Sequence, residues 1–289
     1  MRGAAATMRV LRPRSPREAL EAYALSPDAV PIAGGTDFMV AWNMGGLNGR
    51  TVLDLSGVSQ WRAIASQDGG LRVGALATHA EIQGHGLLRR KFPLLTQACA
   101  TIGAAQIQNR GTLGGNIANA SPAGDSFPAL AVYEAFVRTL SPRGERRVPF
   151  LEIFAGVKKT TLEAAELISA IELPFLDGRP SRGLFRKVGG RSAQAISKTA
   201  AAGLLWLGED GRVGELRFAL GAMAPTVRRL KSVEDFVGGR SLTPATVAGA
   251  CELVAEDVSP IDDIRSTREY RLRASRNILR AFLQGNSIS

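Results

Sequence analysis

Two stretches of this sequence set glycine beside small hydroxyl, amide and carboxylate side chains. The first is AGGTDF, residues 33–38; the second is the longer RGTLGGNIANASPAGDS, residues 110–126. Glycine reaches positive φ without steric cost and lets backbone N–H groups approach a ligand with no Cβ in the way, which is how a polypeptide cradles phosphate. In the first stretch Gly34 and Gly35 close a strand and lead into a helix whose first amides would face an anion. Thr36 and Asp37 either add hydroxyl and carboxylate contacts or cap that helix. Taken singly, each stretch reads equally well as a tight turn. Taken together they suit a dinucleotide, whose pyrophosphate two such loops could grip from both sides. Neither matches GxGxxG in a βαβ unit with its following acid, nor GxxxxGK[ST], so a Rossmann or P-loop site is not supported.

Composition narrows the chemistry further. Cys99 and Cys251 cannot supply the four thiolates an iron–sulfur cluster usually takes, and with only His79 and His85 beside them a protein-bound metal is disfavoured. Redox work would therefore use an organic cofactor. Both cysteines sit in helical, apolar contexts, which argues against a disulfide framework and for a reducing, cytoplasmic setting. The net charge of +10 invites a nucleic-acid reading, but the arginines are scattered and the aromatic residues, 6% of the chain, do not interleave with them as a stacking platform would require. A bound dinucleotide, an acidic partner subunit or plain solvated surface accounts for the charge instead. Apolar runs such as TAAAGLLWLG, residues 199–208, are half the length of about 20 residues that a membrane span needs, so no transmembrane segment is expected. The basic start, MRGAAATMRVLRPRSPREAL, lacks the apolar core of roughly 7–15 residues of a secretory signal and reads as a ragged lead into a strand near Met8–Leu11.

The elements that must position these loops follow from patterning. To about Gly57 the order is βαβαβ: a short strand, a helix from Ser15 or Pro16 with Glu18 completing a capping box, the strand VPIAG, a helix from Phe38 to Met44, and the strand TVLDL. From Trp61 to Pro174 come the strand GGLRVGALAT, a helical stretch from His79 to Ile102, the long glycine-rich segment, and alternating runs FVRTLSP, ERRVPF and ELISAIELP that read as paired strands. The segment LDGRPSRG, from Leu176 to Gly183, is the best linker. Beyond it the expectation is strands FRKVGG and ELRFALGAMAP around a helix SAQAISKTAAAGLLW, then helices from Thr243 and up to Gly285. The resulting class is α+β in three parts: residues 1–58, 59–177 and 182–289.

The strings AGGTDF, IQNRGTLGGNIANASPAGDSFPAL and FRKVGGR, in this order and at these separations, closely resemble the FAD-binding medium subunit of the xanthine dehydrogenase and carbon monoxide dehydrogenase family, and the resemblance runs from about Val10 to Phe282. It implies an α/β FAD-binding region of the vanillyl-alcohol-oxidase type in two subdomains, closed by a C-terminal α+β domain. By position, the family's first pyrophosphate loop falls on Ile32, Ala33, Gly34, Gly35, Thr36 and Asp37 with Phe38 behind it, and its second on Thr112, Leu113, Gly114, Gly115 and Asn116. Ile102 and Gly103, Asp125, Ile168 and Lys187 match positions that the family places in the flavin environment, with Arg186 adjacent in register to Lys187. Each also has a plainer reading: Asp125 as a helix N-cap, Lys187 as a surface lysine on a strand, Ile168 as core, Asn116 as a turn residue bonding its own backbone.

The resemblance further implies a division of labour. Substrate is oxidised at a molybdenum cofactor in a large subunit, electrons cross [2Fe–2S] clusters in a small iron–sulfur subunit, and FAD here hands them to an acceptor such as NAD, a quinone or oxygen. No acid, base or nucleophile is assigned to this chain, and Lys187 is the nearest thing to a residue tuning the flavin. The alternatives are a structural subunit of such a heterotrimer with weak or no flavin, and an independent flavin oxidoreductase.

Overall fold

The computed structural model describes residues 8–286; the first residues of the basic leader lie outside them. The N-terminal region follows its expected order: β1 (Arg9–Leu11), α1 (Pro16–Leu25), β2 (Val30–Ile32), α2 (Phe38–Asn43) and β3 (Thr51–Asp54). The strands form a small parallel sheet in the order β1-β3-β2. Helix α1 starts where its cap predicts. The Glu18 N–H donates to the Ser15 hydroxyl at 3.2 Å, and the Glu18 carboxylate reaches one residue further back than a capping box requires, to the N–H of Arg14. Ala19 and Leu53 bury the inner face together with Trp61, Leu76 and Leu167 of the next region.

That next region is built on an antiparallel sheet. Its strands are β4 (Ile64–Gln67), β5 (Gly70–Gly74), β6 (Phe136–Ser141), β7 (Gly144–Pro149) and β10 (Leu167–Pro174), in the order β4-β5-β10-β6-β7, with a small separate hairpin of β8 (Phe154–Gly156) and β9 (Lys159–Thr160). The last strand in sequence is thus the central one in space. The single helical stretch expected after β5 is divided into α3 (His79–Gly84), α4 (Gly86–Lys91) and α5 (Pro93–Ala100). The chain leaves helical geometry at His85, whose Nδ1 accepts from the Leu88 N–H, and again at Phe92, which cannot continue a helix in front of Pro93. Three further helices, α6 (Ala105–Gln108), α7 (Leu113–Asn119) and α8 (Phe127–Val132), carry the glycine-rich segment back to β6. Phe92 meets Tyr133 edge to face at 5.0 Å, and the Tyr133 hydroxyl accepts the Leu94 N–H at 3.1 Å, so the polar tip of this buried ring is satisfied.

The C-terminal region has a four-stranded antiparallel sheet, β11 (Arg182–Val188), β12 (Thr199–Leu207), β13 (Val213–Gly221) and β14 (Arg228–Arg229), covered by α9 (Lys231–Val237), α10 (Pro244–Asp257) and α11 (Arg268–Gln284). Here one expectation fails. Residues expected as a helix from Ser192 to Trp206 are a loop followed by β12, an inner strand of this sheet. Residues Thr199 to Leu205 are all buried, so the alternation that marks a half-exposed strand is missing, and the run of alanine imitates helix composition. The small side chains have a packing cause. A Cβ on Gly203 would lie 2.7 Å from the Phe218 ring and 2.9 Å from that of Phe282. One face of β12 joins Ile278 and Phe282 of α11 in the C-terminal core, while Ala202 and Leu204 join the core of the middle region. The expected linker also shortens, since Arg182 and Gly183 belong to β11, and the Arg182 guanidinium donates to the carbonyl of Leu283 at 2.6 Å.

Candidate functional site

The two glycine loops meet on one cavity. Its volume is about 710 Å³, within the span of roughly 300–1,000 Å³ usual for cofactor sites, and its walls come from the N-terminal and middle regions alike. The second loop is fixed by backbone pairing. The His79 N–H donates to Gly111 at 3.0 Å, Leu113 to Ala77 at 3.0 Å and Gly114 to Ala75 at 2.9 Å, so residues 111–114 run antiparallel to residues 75–79. The first loop then packs on the second: a Cβ on Gly34 would overlap the carbonyl of Arg110, and one on Gly114 would stand 2.6 Å from the Cβ of Ala75. These two glycines bring backbone to backbone. Gly35 has a different role, with φ of +79° and no more than ordinary van der Waals contact, at 3.4 Å or beyond, where a Cβ would go, so it is a glycine for its conformation. The Thr112 hydroxyl accepts the Gly115 N–H at 3.1 Å and holds the start of α7.

The structure brings most of the sequence-derived candidates together. Ile32, Ala33, Gly34, Gly35, Thr36, Asp37 and Phe38 line the cavity from one side, and Ile102, Thr112, Gly114, Gly115, Asn116 and Ile168 from the other. Leu113 points into the middle core, and Gly103, at φ of +57°, forms a turn behind the wall. Asp37 makes no capping bond with its side chain, and the side-chain Oδ1 of Asn116 accepts the Ser126 hydroxyl at 2.7 Å in place of a bond to its own backbone.

Asp125 and Lys187 lie outside the cavity and bind each other. The Lys187 ammonium donates to Asp125 at 2.6 Å and to the carbonyl of Thr101 at 2.9 Å, and the Ser197 hydroxyl donates to the other carboxylate oxygen. Asp125 is not an N-cap, and Lys187 is not a surface lysine. Burial pushes the Asp125 carboxyl up from its ordinary range against the pull of Lys187 and Ser197. The cluster ties β11 to the turn at Thr101, next to Ile102 on the cavity wall.

Several wall residues carry no sequence signal. Tyr23 comes from α1, and Leu162, Glu163 and Glu166 come from the turn before β10. Burial opposes ionisation of Glu166, but the Arg146 guanidinium, the Glu163 N–H and the Thr139 hydroxyl outweigh it and hold the carboxyl below its ordinary value. No lysine or arginine lines the cavity among the described residues. Its one basic side chain is His79, 2% exposed, with Nδ1 enclosed and without a hydrogen-bond partner.

Burial pulls the His79 pKa down to about 4 from an ordinary 6.5, which leaves a neutral imidazole. In the unfolded chain this histidine takes up a proton below pH 6.5 while in the fold it does so only near 4, so its contribution to stability is present above 6.5 and lost as pH falls through that window. The loss amounts to roughly 3 kcal/mol. Urea unfolding of wild type and His79→Phe between pH 7 and 4 should show the acid slope in wild type and a shallower one in the variant; parallel slopes would mean that His79 is not buried as a neutral base.

Comparison with known proteins agrees with this geometry. Residues 6–176 match the family described as FAD binding domain in molybdopterin dehydrogenase, and residues 185–285 match the CO dehydrogenase flavoprotein C-terminal domain. A xanthine dehydrogenase FAD-binding subunit of Escherichia coli is 31% identical over 88% of this chain and 87% of its own length. The carbon monoxide dehydrogenase medium chain of Hydrogenophaga pseudoflava is 27% identical over 89% of this chain and 90% of its own. In the solved structure of quinoline 2-oxidoreductase from Pseudomonas putida 86, a chain of 28% identity superposes with a TM-score of 0.90 over 99% of this chain and 98% of that one. The cavity suits such a cofactor: backbone meets backbone at Gly34 and Gly114, apolar side chains and the open N–H groups of the first loop line it, its carboxylates Asp37, Glu163 and Glu166 face no lysine or arginine of the lining, and an unpartnered imidazole is buried in the wall. The chain therefore belongs to the FAD-binding medium-subunit family of the molybdenum hydroxylases, alongside the subunits of xanthine and carbon monoxide dehydrogenases.

Proposed function

We propose that this chain is the flavin-holding electron-transfer subunit of a heterotrimeric, cytoplasmic molybdenum hydroxylase. It takes electrons from a small iron–sulfur subunit with [2Fe–2S] clusters, fed by a large subunit with the molybdenum cofactor, and passes them to an external acceptor such as NAD, a quinone or oxygen. Residues 1–58 and 59–177 act as the two FAD-binding subdomains and residues 182–289 as the closing domain. The observation that carries the reading is the single cavity walled by both glycine loops.

When bound, the isoalloxazine supplies the redox chemistry. The chain's residues bind and orient. With no lysine or arginine at the wall among the described residues, and the N–H groups of residues 113–116 already paired within the protein, the backbone N–H groups of residues 34–37 and of Thr112 and the hydroxyls of Thr36 and Thr112 are the donors available to a pyrophosphate. Ile32, Phe38, Ile102 and Ile168 give apolar surface to the ring systems. Lys187, Asp125 and Ser197 hold the closing domain beside Thr101 and Ile102.

The test is to purify the chain alone and with co-expressed partner subunits, release the flavin with acid and identify it by chromatography. One FAD per chain in the assembled complex is the expected result. No flavin even in the assembled complex would overturn the reading and leave a structural subunit.

A further inference from the structure

Among the described residues, His79 is the one buried polar side chain of the cavity wall with a ring nitrogen that the protein leaves without a partner. Its ring lies against the second glycine loop: a Cβ built on Gly111 would be 3.2 Å from Cδ2 and 3.5 Å from Nε2. Its backbone is fixed by the bond from the His79 N–H to Gly111, so the imidazole stays next to the loop. Nδ1 is closed off from solvent with no acceptor or donor in reach. A neutral imidazole carries one proton, and a buried N–H without an acceptor is costlier than a bare lone pair, so the proton belongs on Nε2. The pKa drawn down to about 4 keeps the ring in that neutral form at working pH. A cavity that takes an anionic dinucleotide without lysine or arginine thus has one side-chain N–H from a base, next to Gly111, where loop two abuts loop one at Gly34 and Arg110.

We propose that His79 is a positioning residue for the cofactor, donating from Nε2 to an oxygen of the bound FAD. This rests on the reading that the cavity holds FAD. The donor is neutral, so it orients the dinucleotide without adding a charge that would have to be desolvated when the site is empty.

The test is a titration of flavin-stripped full-length protein with FAD at pH 8, read by quenching of flavin fluorescence, in wild type, His79→Gln, His79→Asn and His79→Phe. Glutamine sets an amide N–H near the place of Nε2, whereas asparagine offers it near Nδ1. The expected result is that His79→Gln binds FAD close to wild type, while His79→Asn and His79→Phe bind about tenfold more weakly or worse, with melting temperatures of the stripped proteins close together. His79→Phe binding like wild type, or His79→Gln as weak as His79→Phe, would overturn the assignment. Should His79→Phe fail to fold, the glutamine and asparagine pair decides alone. Wild type that takes up no FAD at all would sink the reading of the cavity itself, a different outcome from FAD uptake that ignores residue 79.

Discussion

Gly34→Ala is expected to empty the chain of flavin, whereas Gly35→Ala, one residue on, should keep most of it. The two glycines look equivalent in AGGTDF, but their surroundings differ. The added Cβ at Gly34 would occupy the place of the Arg110 carbonyl; a Cβ is fixed to its own backbone and the group it meets is backbone, so neither can rotate away. The loops must part, at a cost at or above the roughly 1–3 kcal/mol usual for overpacking, and the cavity loses the wall they share. FAD affinity should fall by about a hundredfold or more. At Gly35 the nearest atom to a new Cβ is Ile32 Cδ1 at 3.4 Å, so the penalty is only that of holding alanine at positive φ, about 1 kcal/mol. Flavin content per purified chain and urea midpoints of the two variants separate these cases. Equal flavin content in both would show that the loops do not depend on their contact at Arg110.

Removing the lysine of the interdomain cluster should cost even more stability. Both side chains of the Lys187–Asp125 pair are 10% exposed, so Lys187→Met leaves a carboxylate buried with only Ser197 to hold it. Breaking such a pair from one side costs about 3–5 kcal/mol, and adding Asp125→Asn should restore much of it, since the cost lies mainly in the stranded charge. The pH dependence has a definite sign. Without its lysine, the Asp125 carboxyl, already pushed up by burial, moves further above its unfolded value. A raised carboxyl stabilises at low pH and loses that contribution as pH rises, so the penalty of Lys187→Met should shrink on acidification. A penalty under about 1 kcal/mol at pH 8, in the range of exposed pairs, would contradict the burial of the pair.

Much of this is legible in the residues themselves. Ser15 and Thr243 mark helix starts through their side chains, Gly285 marks a helix end at φ of +76°, and the paired runs ending at Ser141 and Pro149 alternate because one face is wet. Thr199 to Leu207 misleads for the opposite reason: a strand buried over most of its length has no alternation, and Gly203 within it answers to the rings of Phe218 on the paired strand and Phe282 of α11, which meet only in the fold. The site divides in the same way. Loops that contain their own chemistry, such as residues 33–38, announce themselves. Tyr23, His79 and Glu166 reach the cavity because of how separate elements meet, and nothing in their neighbours in sequence records that meeting. Lys187 and Asp125 were placed near the flavin by resemblance, but that they bond to each other is a tertiary fact.

The strand order of the middle sheet also has a bearing on how the chain is made. Its centre, Leu167–Pro174, is synthesised last, so Gly70–Gly74 and Phe136–Ser141 must each wait with an open edge for a partner not yet translated. At the usual pace of roughly 5–20 residues per second, the first of them waits on the order of 5–20 seconds, far longer than a hairpin takes to close. For that interval the nascent polypeptide is a two-piece sheet with a missing keystone, and the ribosome-bound chain is a client for whatever holds open edges apart until Ile168 arrives and the cavity gains its last wall.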